Sequence, residues 1–359
     1  MLPAAPSKSS QSRKPRRLRR RLAGLAIGLL VGLLLAELLL RVCGYSPAHV
    51  NPLRSFHQAD PVLVYRGRPN VEGRFRRSQF DVVVRHDDRG FRAAEFRRDP
   101  ADVERTIHVF GDSFTWGWGV ENGEVFTDRL RHLLPDHAVR NYGINGCGTA
   151  LQTRLLETEV EADIQAGDVV VLMFFYNDFF DNTHSKRLHG RVEGDDVVEI
   201  TPDTAFGSAF ERWFKDHSYL VNFAAHVWDF QKAKAGAVEQ REAGETRGAG
   251  PGEVERRVTA HFLRRFRALV EAREARLELV WVADSRDVAG RADGQPSVYF
   301  DAFRETAAAA DLVPLDPTDA FVAAMRADPD KALYFDGDEH WTPRGHEVIA
   351  AFLAARLGR

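Results

Sequence analysis

Four short motifs carry groups that could act together on a carbonyl carbon. They contain Ser113 (within Gly-Asp-Ser), Gly146, Asn177 and His340. Ser113 directly follows a predicted strand and begins a helix, which leaves its hydroxyl exposed. Serine is a weak nucleophile at its own pKa and needs a base within about 3 Å. We therefore expect Ser113 to be a nucleophile and His340 to be its base.

A carboxylate beside His340 would fix the tautomer of the imidazole and complete a Ser/His/Asp set. Asp338 lies two residues before the histidine, and Asp336 lies four residues before it. A backbone carbonyl could also orient the imidazole, and Ser113 and His340 would then work as a dyad. The residues alone leave these three arrangements open.

The motifs also supply three hydrogen-bond donors for a developing oxyanion. Two are the backbone N–H groups of Ser113 and Gly146, and the third is the side-chain amide of Asn177. Glycine leaves its N–H open to close approach because it has no Cβ atom. An oxyanion hole for acyl transfer requires donors of this kind.

The elements around these motifs alternate between strands and helices from residue 105 onward. Strands are predicted at 106–110, 138–142, 168–175 and 277–283, and helices at 124–134, 149–164, 254–275 and 343–357. The segment 168–175 is continuously apolar, as in strands whose two faces are both covered. This alternation predicts an α/β fold with a parallel sheet and helices on both faces. Active sites of such folds lie beyond the carboxyl ends of the strands.

Two segments are less regular. Residues 45–103 are polar and Arg-rich with one predicted strand at 80–85, which indicates a β-rich lead-in without its own core. The catalytic domain is expected over 104–359 with an insertion at 179–251. The first part of the insertion is rich in aromatic residues, which could line an acyl or sugar site or pack a cap against the core. Its second part, 232–251, has no apolar period and is predicted to be a flexible loop.

The N-terminus has the pattern of a membrane anchor. Residues 1–21 hold eight Lys/Arg and no acid, and residues 22–40 are apolar except for Glu37. As a helix, this run spans about 28 Å, close to the thickness of the hydrocarbon layer. The positive-inside rule keeps the basic arm in the cytoplasm and places the remaining chain in the periplasm. We expect an uncleaved anchor at 22–42, since the run is long and lacks small residues at the cleavage spacing of a signal peptide.

Charge and cysteine content exclude some classes of function. Without the basic arm the chain has 41 basic and 52 acidic residues, a balance of −11, which disfavours nucleic acid as a partner. The two cysteines, Cys43 and Cys147, cannot form a disulfide framework or a metal site. No metal or organic cofactor is expected. A metal-dependent hydrolase is indicated only by the acidic and histidine residues at 336–340.

In order and spacing, the four motifs resemble the blocks of the SGNH hydrolase family, also called GDSL esterases and lipases. The resemblance covers about residues 105–359, and the matching residues are Ser113, Gly146, Asn177 and His340. Membrane-anchored bacterial members are similar upstream too, in an apolar N-terminus ending in Glu-Leu-Leu-Leu-Arg and in a Gly-Phe-Arg motif, here 90–92. The resemblance implies a three-layer α/β/α, flavodoxin-like fold after the N-terminal transmembrane helix.

One position departs from the family pattern. The family usually has Asp three residues before His, where this chain has Gly337. Asp-x-His-Trp resembles a variant of membrane-linked members, which favours Asp338 over Asp336. The nearby His346 is expected to be structural. Trp116, Trp118 and Trp341 either border the substrate pocket or pack around the nucleophile turn.

The resemblance implies ester chemistry. We expect hydrolysis of acyl or acetyl esters, of cell-envelope carbohydrate or lipid, through an acyl-enzyme on Ser113. The first alternative is an O-acyltransferase that passes the acyl group to a polysaccharide hydroxyl. The second is a non-catalytic envelope assembly protein that keeps the fold. Other proteins of envelope biosynthesis would be its partners.

Overall fold

The computed structural model describes residues 14–45, 55–96, 103, 105–184, 187–202, 217–224, 227–228 and 250–358. The chain divides into two compact units. One comprises Met1–Pro47 with Ala209–Ala233, and the other comprises Ala48–Ser208 with Lys234–Arg359. The predicted flexible loop at 232–251 lies outside the described residues except for its last two positions.

The first unit is built on one long helix, α1 (Lys14–Val42). Its segment Arg20–Val42 is long and apolar enough to cross a membrane, and all of its leucines except Leu40 are exposed. Arg41 pairs with Glu37 at 2.7 Å, since residues four apart on a helix lie on the same face. The Glu37 carboxylate also accepts the backbone N–H groups of Tyr219 and Leu220, at 2.9 and 2.8 Å.

The second unit contains the predicted parallel sheet. Its strands are β5 (Arg105–Gly111), β6 (His137–Gly143), β7 (Val169–Phe174) and β10 (Arg276–Trp281), in the order β10-β7-β5-β6, all parallel. Each lies within two residues of a predicted strand. All six residues of β7 are buried, since both of its faces are covered. The α/β fold class is confirmed.

Helices pack around this sheet in two groups. The helices are α2 (Ser113–Trp116), α3 (Phe126–Leu133), α4 (Thr149–Leu155), α5 (Asp178–Asp181), α6 (Glu253–Glu271), α7 (Ser285–Ala292), α8 (Val298–Ala308), α9 (Thr318–Ala327) and α10 (Pro343–Leu357). One group joins α4, α5, α6 and α8, and the other joins α3, α7, α9 and α10. Helix α6 buries Val258, Phe262 and Phe266, which recur every four residues along one face.

One predicted helix differs from the structure, and two groups of elements were not predicted. The predicted helix at 149–164 is α-helical only to Leu155 and continues as a π turn and a 3-10 turn to Asp163. Helical spacing in the sequence does not distinguish these geometries. Helices α7, α8 and α9 between the last strand and α10 were not predicted. Neither was a hairpin in the insertion, β8 (His189–Glu193) with β9 (Asp196–Ile200).

The lead-in forms two antiparallel hairpins. They are β1 (His57–Asp60) with β2 (Val64–Gly67), and β3 (Glu72–Arg76) with β4 (Asp81–Arg85). A hydrophobic cluster joins the second hairpin to the α/β domain, and it consists of Phe56, Phe75, Phe80, Val82, Val84 and Trp116. The lead-in therefore completes its packing with a residue of the helix that follows β5.

Candidate active site

The turn that carries Ser113 follows β5, one of the two inner strands of the sheet. Strand β5 ends at Gly111, and Asp112 caps α2 by accepting the backbone N–H of Phe114 at 2.9 Å. Gly111 must be glycine because a Cβ atom there would overlap the side chain of Thr115. Ser113 is the first residue of α2, as expected, and lies at the carboxyl edge of the sheet.

Ser113, His340 and Asp338 form a continuous hydrogen-bonded set. The His340 Nε2 atom lies 2.7 Å from the Ser113 Oγ atom, and Nδ1 lies 2.5 Å from Asp338 Oδ1. Asp338 Oδ1 also accepts the backbone N–H of His340 at 3.0 Å. A carboxylate at Nδ1 favours the tautomer in which Nε2 can accept the serine proton.

The structure separates the two carboxylates that the sequence left as candidates. Asp336 is exposed, and its backbone carbonyl accepts the side-chain amide of Gln79 at 3.1 Å. Asp338 is half-buried, and burial alone would raise its pKa. The hydrogen bond and charge of His340 outweigh this effect and hold the pKa of Asp338 below its usual value. Asp338 is therefore ionised where the imidazole needs a negative partner.

Aromatic rings enclose the imidazole of His340. The Trp118 ring is stacked on it at 4.9 Å between centroids and 18° between planes, and Phe114 lies 4.7 Å away. The Trp118 Nε1–H also donates to Asp338 Oδ2 at 3.2 Å. Trp116 and Trp341 are fully buried and serve packing. Of the three tryptophans considered from the sequence, Trp118 thus contacts both His340 and Asp338.

The three motifs with oxyanion donors lie after three adjacent strands. Ser113 follows β5, while Gly146 and Asn177 follow its neighbours β6 and β7. Gly146 has a φ of 75°, a conformation that favours glycine. Its carbonyl accepts the Tyr65 hydroxyl at 2.5 Å and the guanidinium of Arg187, which together fix this loop. The topology brings the predicted donors to one edge of the sheet.

A group of buried carboxylates that includes the neighbour of Ser113 was not anticipated from the sequence. Asp112, Asp178 and Asp181 are all buried, and Arg187 pairs with Asp181 at 2.6 Å. Burial raises the pKa of Asp181 to about 6 despite the charge of Arg187. Burial also raises the pKa values of Asp112 and Asp178, and the charge of Asp112 raises that of Asp178 further. The interior beneath Ser113 thus favours protonated carboxyl groups at mildly acidic pH.

Two cavities lie beside the loops that carry Asn177 and His340. They measure about 350 and 470 Å³, and Arg286 lines both. Arg286 donates to Glu339 at 2.9 Å, and the hydroxyl of Tyr176 lies 3.1 Å from the same carboxylate. Because Tyr176 precedes Asn177 and Glu339 precedes His340, these contacts join the two loops next to the site.

The remaining histidine near the site is structural. His346 is buried in α10, where its Nδ1 atom accepts the backbone N–H of Phe126 at 3.3 Å. Burial holds the pKa of His346 well below its usual value, so the ring is neutral. Within the described part of the chain, no group of three or more His, Cys, Asp and Glu side chains could hold a metal ion.

Comparisons with known proteins identify the family of the chain. The model of the GDSL-like lipase/acylhydrolase family matches residues 109–348. No curated protein matches the sequence. A lipolytic G-D-S-L family protein from Veillonella parvula is 15% identical, with 69% of this chain and 95% of that chain covered and a TM-score of 0.38. A lipase/acylhydrolase from Enterococcus faecalis is 15% identical, with 71% and 95% covered and a TM-score of 0.37.

An acetyl xylan esterase is 14% identical, with 70% of this chain and 98% of that chain covered and a TM-score of 0.40. These structural likenesses are distant. The match to the family model covers more than half of the sequence and includes Ser113, Gly146, Asn177 and His340. The chain belongs to the GDSL-like lipase/acylhydrolase family.

Proposed function

We propose that this protein is a serine-dependent ester hydrolase that acts on acyl or acetyl esters through an acyl-enzyme on Ser113. The observation that carries the proposal is the unbroken set of hydrogen bonds from Asp338 through His340 to the Ser113 hydroxyl. A buried serine at a strand end without a base would have no such chemistry.

In the proposed mechanism, His340 Nε2 takes the Ser113 proton while Oγ bonds to the ester carbonyl carbon. The Ser113 and Gly146 N–H groups and the Asn177 amide stabilise the oxyanion. The bond to the alcohol oxygen then breaks, and that oxygen receives the proton from His340. Water repeats these steps on the acyl-enzyme, which releases the acid and restores Ser113. Each of the two cavities beside the loops of Asn177 and His340 has the volume of a small-molecule site, and Asp338 lines the larger one.

An O-acyltransferase is the alternative in which a sugar hydroxyl replaces water in the second step. Both reactions use the same residues, and the outcome depends on how well water is excluded from the acyl-enzyme. The hydrogen bonds that connect Ser113, His340 and Asp338 favour a catalytic role over a non-catalytic role in envelope assembly. We further propose that α1 anchors the protein in a membrane with the catalytic domain in the periplasm.

Hydrolysis of p-nitrophenyl acetate by the full-length protein in detergent tests the proposal. Ser113→Ala is expected to lose at least about a thousandfold in kcat, because a missing triad member costs several orders of magnitude. Thr158→Ala is the matched control, since Thr158 is exposed and its hydroxyl donates to the Arg154 carbonyl within the turn after α4. Retention of more than about a tenth of wild-type activity by Ser113→Ala would contradict the assignment.

A further inference from the structure

Trp118 contacts every member of the Ser113–His340–Asp338 set. Its ring is stacked on the imidazole and its Nε1–H donates to Asp338 Oδ2. Its backbone N–H donates to the Ser113 carbonyl at 3.0 Å. A single residue therefore contacts Ser113 through its backbone and both His340 and Asp338 through its side chain.

The bond from Trp118 fixes the oxygen of Asp338 that the histidine does not use. Oδ1 accepts both the imidazole Nδ1–H and the backbone N–H of His340, while Oδ2 accepts the indole. Without the indole, the carboxylate could rotate about its Cβ–Cγ bond and its alignment with Nδ1 would weaken. The indole face also lies against the ring that becomes a cation during catalysis, which is a favourable contact.

The lead-in hairpin β3–β4 holds the indole in place. Phe75 packs edge-on against the Trp118 ring at 4.8 Å and 83°, and Phe80 lies 6.3 Å from it. The same hairpin contacts the loop of the base. Phe80 packs on Phe335 at 5.3 Å, and Gln79 donates to the Asp336 carbonyl.

A second part of the lead-in supports the backbone around Trp118. Gly117 and Gly119 on either side have φ values of 87° and 76°, so the chain makes an abrupt turn there. The buried guanidinium of Arg92 donates to the carbonyls of Gly117 at 3.1 Å and of Val120. Arg92 belongs to the Gly-Phe-Arg motif at 90–92, whose role is not evident from the sequence.

We propose that the lead-in positions the catalytic groups, with Trp118 as the positioning residue that transmits its packing to Asp338 and His340. The inference rests on the proposed function, since it concerns the same site. It makes residues 72–92 a part of the catalytic apparatus, in addition to their contribution to packing.

Trp118→Phe tests the inference because it keeps an aromatic ring against His340 and removes the donor to Asp338. With p-nitrophenyl acetate and full-length protein, kcat is expected to fall about ten- to a hundredfold while KM changes less than about threefold. In an Asp338→Asn background the same substitution is expected to cost less than about threefold, because its partner carboxylate is already gone. A purely structural role would give equal losses in both backgrounds.

Phe75→Leu is the second variant, since it keeps apolar volume in the hairpin and alters the wall behind Trp118. Its kcat is expected to fall at least about threefold with KM unchanged. Phe96→Ala, an exposed aromatic residue packed on His132, is the matched control. The rate of labelling by a fluorophosphonate gives a second readout that needs no substrate binding.

If the wild type is active and Trp118→Phe has the same kcat, this inference is overturned and the proposed function stands. Equal losses for Trp118→Phe with and without Asp338 would have the same meaning. A wild-type protein that neither hydrolyses the ester nor reacts with the fluorophosphonate would overturn the proposed function, and the inference with it.

Discussion

Replacing Asp338 by asparagine should impair catalysis far more than replacing Asp336. All three contacts of the Asp338 carboxylate are donors, namely the imidazole Nδ1–H, the His340 backbone N–H and the indole N–H of Trp118. An asparagine amide has one oxygen and one NH2 group. In Asp338→Asn the NH2 group would therefore face either the two N–H donors of His340 or the indole N–H of Trp118, and donor would oppose donor. The imidazole then loses its negative partner or is held in the wrong tautomer.

The expected loss in kcat for Asp338→Asn is about three to four orders of magnitude, as for other triads that lose this carboxylate. Asp336→Asn is the matched control. Asp336 is exposed, so its charge acts through solvent and its loss is expected to cost about tenfold or less.

Both variants would be assayed at saturating p-nitrophenyl acetate, with circular dichroism to show that they are folded. A larger loss for Asp336→Asn would refute the assignment of the acid. Losses of about tenfold or less for both would mean that a backbone carbonyl orients His340 and that the site is a dyad.

Three further predictions concern the oxyanion donors, the buried acids and the topology. Asn177→Ala should lower kcat about a hundred- to a thousandfold with little change in KM, and an unchanged kcat would remove Asn177 from the oxyanion hole. Burial raises the pKa of Asp112 in the folded protein to about 6, so the stability that its protonated carboxyl contributes is fully present below pH about 4 and is lost as the pH rises through 6. Asp112→Asn should therefore raise the melting temperature at pH 7 more than at pH 4. Equal shifts at both pH values would contradict this origin of the effect. A periplasm-dependent reporter fused after Arg359 should be active and a cytoplasm-dependent one inactive; the reverse result would refute the topology, and a mature N-terminus beyond Cys43 would show cleavage.

The sheet and the last helix could be predicted because local signals and tertiary packing agree there. The continuous β-branched and apolar run at 169–174 is typical of a strand covered on both faces. Helix α10 begins after a capping Thr342 with Pro343 at its first position, and its bounds match the prediction. Helices α7 and α8 also have local signals, the capping residues Asp284 and Ser297, but their apolar patterns are short.

The site was predictable where a motif encodes it and not where contacts are distant in sequence. Ser113 and His340 stand in motifs whose chemistry is readable from residue type, whereas the residues alone left Asp338 and Asp336 both open as the acid. The role of Trp118 depends on a contact with Asp338 across 220 positions, and no local pattern reveals it. The acids at 178 and 181 are part of a polar, aromatic segment, and acids are usually exposed, so no local pattern indicated their burial.

The most direct test of the central claim is to identify the residue that a fluorophosphonate modifies in the full-length protein. The hydrogen bond from Ser113 to His340 predicts one adduct per chain, and peptide mass spectrometry should place it on Ser113. The adduct should be absent from Ser113→Ala and strongly reduced in His340→Ala. Modification of a different residue, or no modification of the folded wild-type protein, would contradict the account.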